Sequence, residues 1–419
     1  MRSNSLLDLS SELLREVLKF DQPADVLVSN FFRGHRALGP RERHALAETM
    51  YDVIRRLPSY RHLAQSGFGA LERRLALLGW QGDAGVLRAA SSPSEQQWLG
   101  QIAAIERSSL PQHLQHNLPA WLAQSLQSQL GDQFWPLVQA CQGVAPLDLR
   151  VNVFKTKREA AAARLGEQGI AAEPTPYSPL GLRIQGKPQL QKLDVFRCGD
   201  VEVQDEGSQL LALMLDARRG EMVVDFCAGA GGKTLALGAA MRNTGRLYAF
   251  DVSGHRLAAL KPRLARSGLS NIYPLQIAHE RDERIKRLAG KIDRVLVDAP
   301  CSGLGTLRRN PDMKWRQSPE SVRALQAQQT LILNGASRLL KPGGRLVYAT
   351  CSLLDDENQA VANQFSAAHS REFAELPVAD VLAGARVAMA QSLVEGKFLR
   401  LWPHRHNTDG FFAAAWTRN

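Results

Sequence analysis

Met222-Val223-Val224-Asp225-Phe226-Cys227-Ala228-Gly229-Ala230-Gly231-Gly232-Lys233-Thr234 decides the fold. A short apolar run, Met222 to Phe226, breaks into glycines and then into a helical stretch. Glycines between a strand and a helix let a ligand approach the backbone at the helix N-terminus. Outward from this point the pattern repeats. Arg246–Phe250, Ile272–Leu275, Arg294–Val297 and Arg345–Tyr348 are further candidate strands with helical stretches between them. One of these helices, Pro319 to Leu340, is expected to stop at Pro342-Gly343-Gly344. Such βαβ alternation predicts a parallel α/β sheet. Near the end, Phe398–Trp402 and Phe411–Trp416 flank Asn407-Thr408-Asp409-Gly410, predicting a terminal hairpin that adds an antiparallel strand.

In such a sheet, ligands sit beyond the carboxyl ends of the strands. Gly232-Lys233-Thr234 resembles the end of a phosphate-binding P-loop, but that motif needs a glycine at position 227, which is cysteine. A dinucleotide G-x-G-x-x-G fits poorly too, because Thr234 stands at its last position. The second strand ends at Asp251, which can accept hydrogen bonds from both hydroxyls of a ribose or cap the next helix. The glycine loop, Asp251 and Asp298-Ala299-Pro300-Cys301 together favour S-adenosylmethionine over NAD.

Two cysteines follow strands. Cys301 comes after Arg294–Val297, and Cys351, in Thr350-Cys351-Ser352, comes after Arg345–Tyr348. If those strands are neighbours, about 4.8 Å apart, both thiols face one cleft. Methylating an exocyclic amine needs no thiol. Carbon 5 of a pyrimidine does, because a thiolate must add to carbon 6 before carbon 5 can attack a methyl donor. A second thiol or carboxylate can assist release. The competing readings are a buried core thiol or a redox pair; Pro300 and Ser352 favour loops over core.

With 419 residues, the chain is too long for one core. Residues 1–140 are expected to be helical: Leu9, Leu13, Val17 and Phe20 share one face. Pro40 opens a helix carrying Leu46, Met50, Val53, Ile54 and Leu57, which Pro58 would end. Residues 141–215 are expected to form a small α/β domain, and 216–419 the sheet domain. A net charge of +11 favours a polyanion partner. Arg308, Arg309, Lys314 and Arg316 follow the first cysteine loop, which points to nucleic acid. Five cysteines without a CxxC pair argue against a disulfide scaffold or zinc site. No apolar run reaches the ~18 residues of a membrane span. The N-terminus alternates Leu with Ser, Asp8 and Glu12 rather than forming a secretory h-region. A cytoplasmic monomer is expected.

Asp225 to Thr234, Asp298-Ala299-Pro300-Cys301-Ser302-Gly303, Arg309-Asn310-Pro311-Asp312-Met313-Lys314-Trp315, Thr350-Cys351-Ser352 and Asp409-Gly410-Phe411-Phe412 resemble the Sun/Nop family of RNA cytosine-5 methyltransferases. Gln204-Asp205-Glu206-Gly207-Ser208 resembles the segment leading into that family's catalytic domain. Leu38-Gly39-Pro40-Arg41-Glu42-Arg43 is more loosely similar to a NusB-like RNA-binding domain. The resemblance implies a Rossmann-like, seven-stranded class I methyltransferase domain acting on RNA, most often ribosomal. It implies that Cys351 is the nucleophile, that Cys301 serves product release, and that Asp298 and Lys233 lie near the target base. It also implies that Cys227, Ala228, Gly229, Ala230, Gly231, Gly232, Lys233, Asp251 and Asp298 bind the cofactor. Where the family usually offers an aspartate after its third strand, this chain has Ile277-Ala278-His279-Glu280-Arg281-Asp282. His279 is then the nearest equivalent, with Glu280 or Asp282 as substitutes. Arg150, Arg308, Arg309 and Lys314 are the expected RNA contacts. Rival readings are a transfer-RNA or uracil-5 target, a DNA cytosine methyltransferase, or an RNA-binding assembly factor that keeps the fold.

Overall fold

The computed structural model describes residues 3–186 and 188–419. The chain forms two compact units, residues 1–143 with 307–319, and residues 144–306 with 320–419. The first is helical. Pro40 does open a helix, Pro40–Arg55, with Glu42 returning a carboxylate to the Gly39 N–H at 2.7 Å. Leu46, Met50, Val53 and Ile54 are buried, as their spacing requires. Pro58 ends nothing: it stands in the first turn of Leu57–Leu63, where its missing N–H has no helical partner to lose.

The second unit holds two sheets. The smaller contains β1 (Leu147–Val151), β2 (Ala172–Pro174), β3 (Gly181–Ile184) and β4 (Val201–Val203), all antiparallel in the order β2-β3-β1-β4. The larger contains β5 (Met222–Asp225), β6 (Arg246–Asp251), β7 (Ile272–Gln276), β8 (Ile292–Asp298), β9 (Leu340–Thr350), β10 (Phe373–Glu375), β11 (Val394–Glu395), β12 (Phe398–Leu401) and β13 (Phe411–Arg418). Its order is β11-β12-β13-β9-β8-β5-β6-β7, with β10 also on β13. β5 to β9 are mutually parallel, and β13 runs antiparallel to β9. The sheet therefore has nine strands, not the expected seven. β10 and β11, of three and two residues, are short additions at the β12–β13 edge, too brief for alternation to reveal.

The larger sheet is buried on both faces, so its strands read as continuous apolar runs. Along β9, Leu346 and Tyr348 enter one core while Val347 and Ala349 enter the other; β13 divides Phe412, Ala414 and Trp416 from Ala413 and Ala415 in the same way. Pro342-Gly343-Gly344, expected to be a helix stop, lies inside β9, where the β8 register shifts between Ile292 and Arg294. The helix itself stops at Ser337. Chain order reverses at β5, with β6 and β7 to one side and β8 and β9 to the other. That is the switch point at which α/β sheets hold ligands. Among the described residues no helix is long and apolar enough to cross a membrane.

Candidate active site

β8 and β9 are adjacent and parallel, with Asp298 opposite Ala349. The ladder ends with the Ala299 N–H donating to Ala349 O at 2.9 Å. Just beyond, Cys301 and Cys351 are both free thiols with their sulfurs 3.3 Å apart, close enough for an S–H···S contact. The bond to Cys351 and then burial push the Cys301 thiol well above its usual range, so Cys301 keeps its proton.

Lys233 approaches from the glycine loop and donates to Asp298 Oδ2 at 2.7 Å. Burial alone would drain its proton. The Asp298 charge and hydrogen bond, with Cys351 among the lesser contributors, outweigh burial and raise its pKa. Lys233 is thus a fixed cation at neutral pH, with the Phe411 ring 5.8 Å from its nitrogen.

The loop takes its shape from its glycines. Gly229 (φ 55°) and Gly231 (φ 82°) adopt left-handed backbone, and a Cβ on Gly231 would lie 2.1 Å from Leu260. Asp251 lies alongside: Oδ2 accepts from the Gly229 N–H at 2.8 Å and Oδ1 from the Ser253 N–H at 2.7 Å. It thus braces the loop and turns into the following helix, with lone pairs left on both oxygens. A Cβ on Gly229 would meet open space. Beneath the loop, Asp225 Oδ2 takes the Thr234 hydroxyl at 2.6 Å while Oδ1 is buried without a hydrogen-bond partner. A room beside glycine backbone, next to an acceptor carboxylate and the helix N-terminus, fits a nucleoside cofactor of the S-adenosylmethionine type. Cys227 belongs to this loop, and burial followed by the Asp225 charge pushes its thiol well up, so it stays protonated. Ala228 and Ala230 contribute backbone, Ala228 N–H donating to Phe250 O at 2.8 Å.

His279 is exposed after β7, and its Nδ1 accepts from the Arg281 N–H at 3.1 Å. Asp282 is buried and occupied by its own turn, accepting from the Ala278 and Arg284 N–H groups, both at 2.9 Å. Ala278 leads the contacts that hold its carboxyl below the usual range.

The expected RNA contacts need correction. Arg150 is 2% exposed, and its guanidinium donates to Gln204 and, at 2.6 Å, to the Gly232 carbonyl. Lys314 is 4% exposed and caps a helix end, donating to Arg55 O at 2.8 Å, while Trp315 donates to Ile54 O at 2.7 Å. Burial lowers the Lys314 pKa to about 7. Arg308 is buried as well; Arg309 alone of the four is half-exposed. Charge density in the sequence cannot distinguish a lysine facing phosphate from one satisfying helix carbonyls. One functional candidate went unread. Glu357, fully buried, accepts from the residues following both cysteines: the Ser302 N–H at 2.8 Å and the hydroxyls of Ser302 and Ser352. In the sequence it is one acid among Asp355-Asp356-Glu357, with no signal setting it apart.

A family model for the 16S rRNA methyltransferase RsmB/F matches residues 212–417, and a model for the RsmF/B-like ferredoxin-like domain matches 118–191. The chain is 31% identical to the probable ribosomal RNA small subunit methyltransferase B of Synechocystis, over 98% of each chain. It is similar to a methyltransferase homolog protein from Pyrococcus horikoshii at 28% identity and a TM-score of 0.63, over 75% of this chain and 100% of that one. At 19% identity it shares the fold of NSun6 from Pyrococcus horikoshii, solved with SFG, with a TM-score of 0.61 over 72% of this chain and 98% of that one. Strand order, strand-end thiols, glycine loop and full-length similarity agree, and the chain belongs to the RsmB/F family of 16S rRNA methyltransferases.

Proposed function

We propose that this protein methylates carbon 5 of a cytosine in ribosomal RNA through a covalent Cys351 adduct, with S-adenosylmethionine as methyl donor. The observation that carries the reading is the 3.3 Å approach of two free thiols beside the glycine loop. Two further supports come from relatives. The Synechocystis relative is named for ribosomal RNA, and NSun6, similar in fold, was solved with SFG, an analogue of S-adenosylmethionine.

The target base leaves its stack at a cost of a few kcal/mol, less in a loop or bulge. The Cys351 thiol first gives its proton to solvent; the thiolate then gives its electron pair to carbon 6, and the C5=C6 pair shifts to make carbon 5 nucleophilic. The donor, when bound, supplies a methyl group on a sulfonium that leaves as a neutral thioether. Carbon 5 takes that methyl. Carbon 5 then loses its proton, the freed pair restores C5=C6, and the carbon–sulfur bond breaks with its electrons on Cys351. Cys301 serves this last step: it gives its held proton to the departing Cys351 sulfur and takes the proton leaving carbon 5, ending unchanged. Lys233 and Asp298 form a preorganised polar wall for charge developing on the base. Exposed basic residues supply the phosphate contacts.

The test uses unmethylated ribosomal RNA and labelled donor. Cys351→Ala abolishes turnover and retains donor binding; Cys301→Ala accumulates a denaturant-resistant RNA–protein band. Digested product contains 5-methylcytidine. Substantial methylation by Cys351→Ala, or 5-methyluridine in the digest, overturns the reading.

A further inference from the structure

We infer that Glu357 is a positioning residue whose buried carboxylate locks the two cysteine loops together and so sets the sulfur pair. The inference rests on the covalent reading above. Beyond the last β8–β9 ladder bond no strand pairing holds Cys301 against Cys351. Three ties replace it. At one side, the Gly305 N–H donates to Cys351 O at 2.8 Å. At the base, the hydroxyls of Ser302 and Ser352, each one residue past a cysteine, lie 3.1 Å apart and both donate to Glu357 Oε2. Its other oxygen, Oε1, takes the Ser302 N–H at 2.8 Å and the Gln329 side-chain amide at 3.0 Å; that same amide group donates to Pro300 O at 3.0 Å. Glu357 is itself held, its carbonyl accepting from the Tyr348 hydroxyl at 2.6 Å, while its neighbour Asn358 donates to Ser352 O at 3.1 Å.

Every donor to the carboxylate is neutral, two hydroxyls and two amides. A merely space-filling role would be met by an amide of the same shape. What a carboxylate alone provides is two acceptor oxygens for four donors. A glutamine has one oxygen, and its amino group faces two of those donors, so one loop loses its anchor. Reacting atoms tolerate little displacement: a 1 Å misplacement costs on the order of a hundredfold in rate.

Glu357→Gln, in the full chain with unmethylated ribosomal RNA, is expected to lose about a hundredfold in kcat. KM for S-adenosylmethionine, and its Kd by calorimetry, stay within about twofold, because the glycine loop is untouched. In a Cys301→Ala background, the same substitution slows appearance of the covalent band by a similar factor. The double variant Ser302→Ala/Ser352→Ala removes the hydroxyl donors and leaves the acid; its kcat falls too. Adding Glu357→Gln to it costs less than in the wild type, since the groups act as one unit. Wild-type kcat in Glu357→Gln overturns the inference, as does a donor affinity that falls in step with kcat. Should Glu357→Gln not fold, wild-type kcat in the serine pair overturns it equally. A wild-type protein that forms no adduct and no 5-methylcytidine sinks the covalent reading instead, which separates the two failures.

Discussion

Asp225 shows how strongly one residue beneath the glycine loop can couple the site to stability. It is buried, bonded by Thr234 on one oxygen only, and burial raises its carboxyl to about 7. The folded state therefore holds a proton that the unfolded chain releases near 3.8. Stability from this group is full below the lower value and is lost as pH rises through the window to about 7. The difference corresponds to about 4 kcal/mol. Asp225→Asn keeps an acceptor for Thr234 and cannot ionise. Thermal unfolding of both proteins across that window should show the wild type losing ground steadily against the variant, which is the more stable above pH 7. Parallel curves would mean that Asp225 ionises freely. At this scale the sequence told where along the chain a polar side chain stands better than which way it points. Cys301 and Cys351 could be singled out because strand ends locate side chains to within one turn, whereas the roles expected of Lys233 and Asp298 came through the family resemblance. Lys314 and Arg150 were misread because the same charge serves a buried carbonyl or an exposed phosphate, and only packing tells them apart.

Elements were more legible where they were long and periodic. The five parallel strands and the closing hairpin announce themselves by apolar runs between helices, and their true bounds differ by a few residues. Proline and glycine misled where packing overrode local preference: Pro58 begins a helix, and Pro342-Gly343-Gly344 is held in β9 by its neighbours. Glycine also carries a message that periodicity cannot express, namely how closely two segments approach. Gly305 is such a position. Its N–H reaches Cys351 O, its own carbonyl accepts from the Gly410 N–H at 2.8 Å, and a Cβ there would lie 2.0 Å from Gly410 O and 2.8 Å from Cys351 O. Neither obstacle is a flexible side-chain tip. Gly305→Ala must push the Cys301 loop away from both segments, at about 1–3 kcal/mol as for other overpacked sites. Chemical denaturation should show that loss. Turnover should fall further than donor affinity, because the displaced atoms belong to the thiol pair and not to the glycine loop. A variant matching the wild type in midpoint and turnover would show that these three segments are not held in contact.

Across the second unit as a whole, the small antiparallel sheet is fastened to the cofactor loop of the large one. Arg150, on β1, donates to the Gly232 carbonyl; Glu202, on β4, holds Arg263 at 3.1 Å, and Arg263 donates to the Ala230 carbonyl at 2.7 Å. Two carbonyls of a loop that must stay open to a ligand are thereby satisfied from behind, by residues more than twenty-five positions away in sequence. Burial lowers Arg150 to about 10, still charged at neutral pH, so the clamp persists under working conditions. Removing it leaves Gln204 Oε1 and the second lone pair of Gly232 O, whose first belongs to its helix, without a donor in a closed environment, at about 1–3 kcal/mol. Arg150→Ala should therefore weaken S-adenosylmethionine binding about tenfold or more by calorimetry, through a loop that no longer keeps its shape. Arg150→Lys should rescue part of the loss, since both bonds come from the single nitrogen Nη1 and a lysine ammonium has donors enough for two acceptors. The salt dependence of RNA binding separates this from a phosphate contact. A lost phosphate contact shallows the slope of log K against log salt by about one, whereas a lost internal clamp leaves the slope as it was. Intact donor affinity with a shallower slope would return Arg150 to the RNA surface and leave the loop to be held by Arg263 and Asp251 alone.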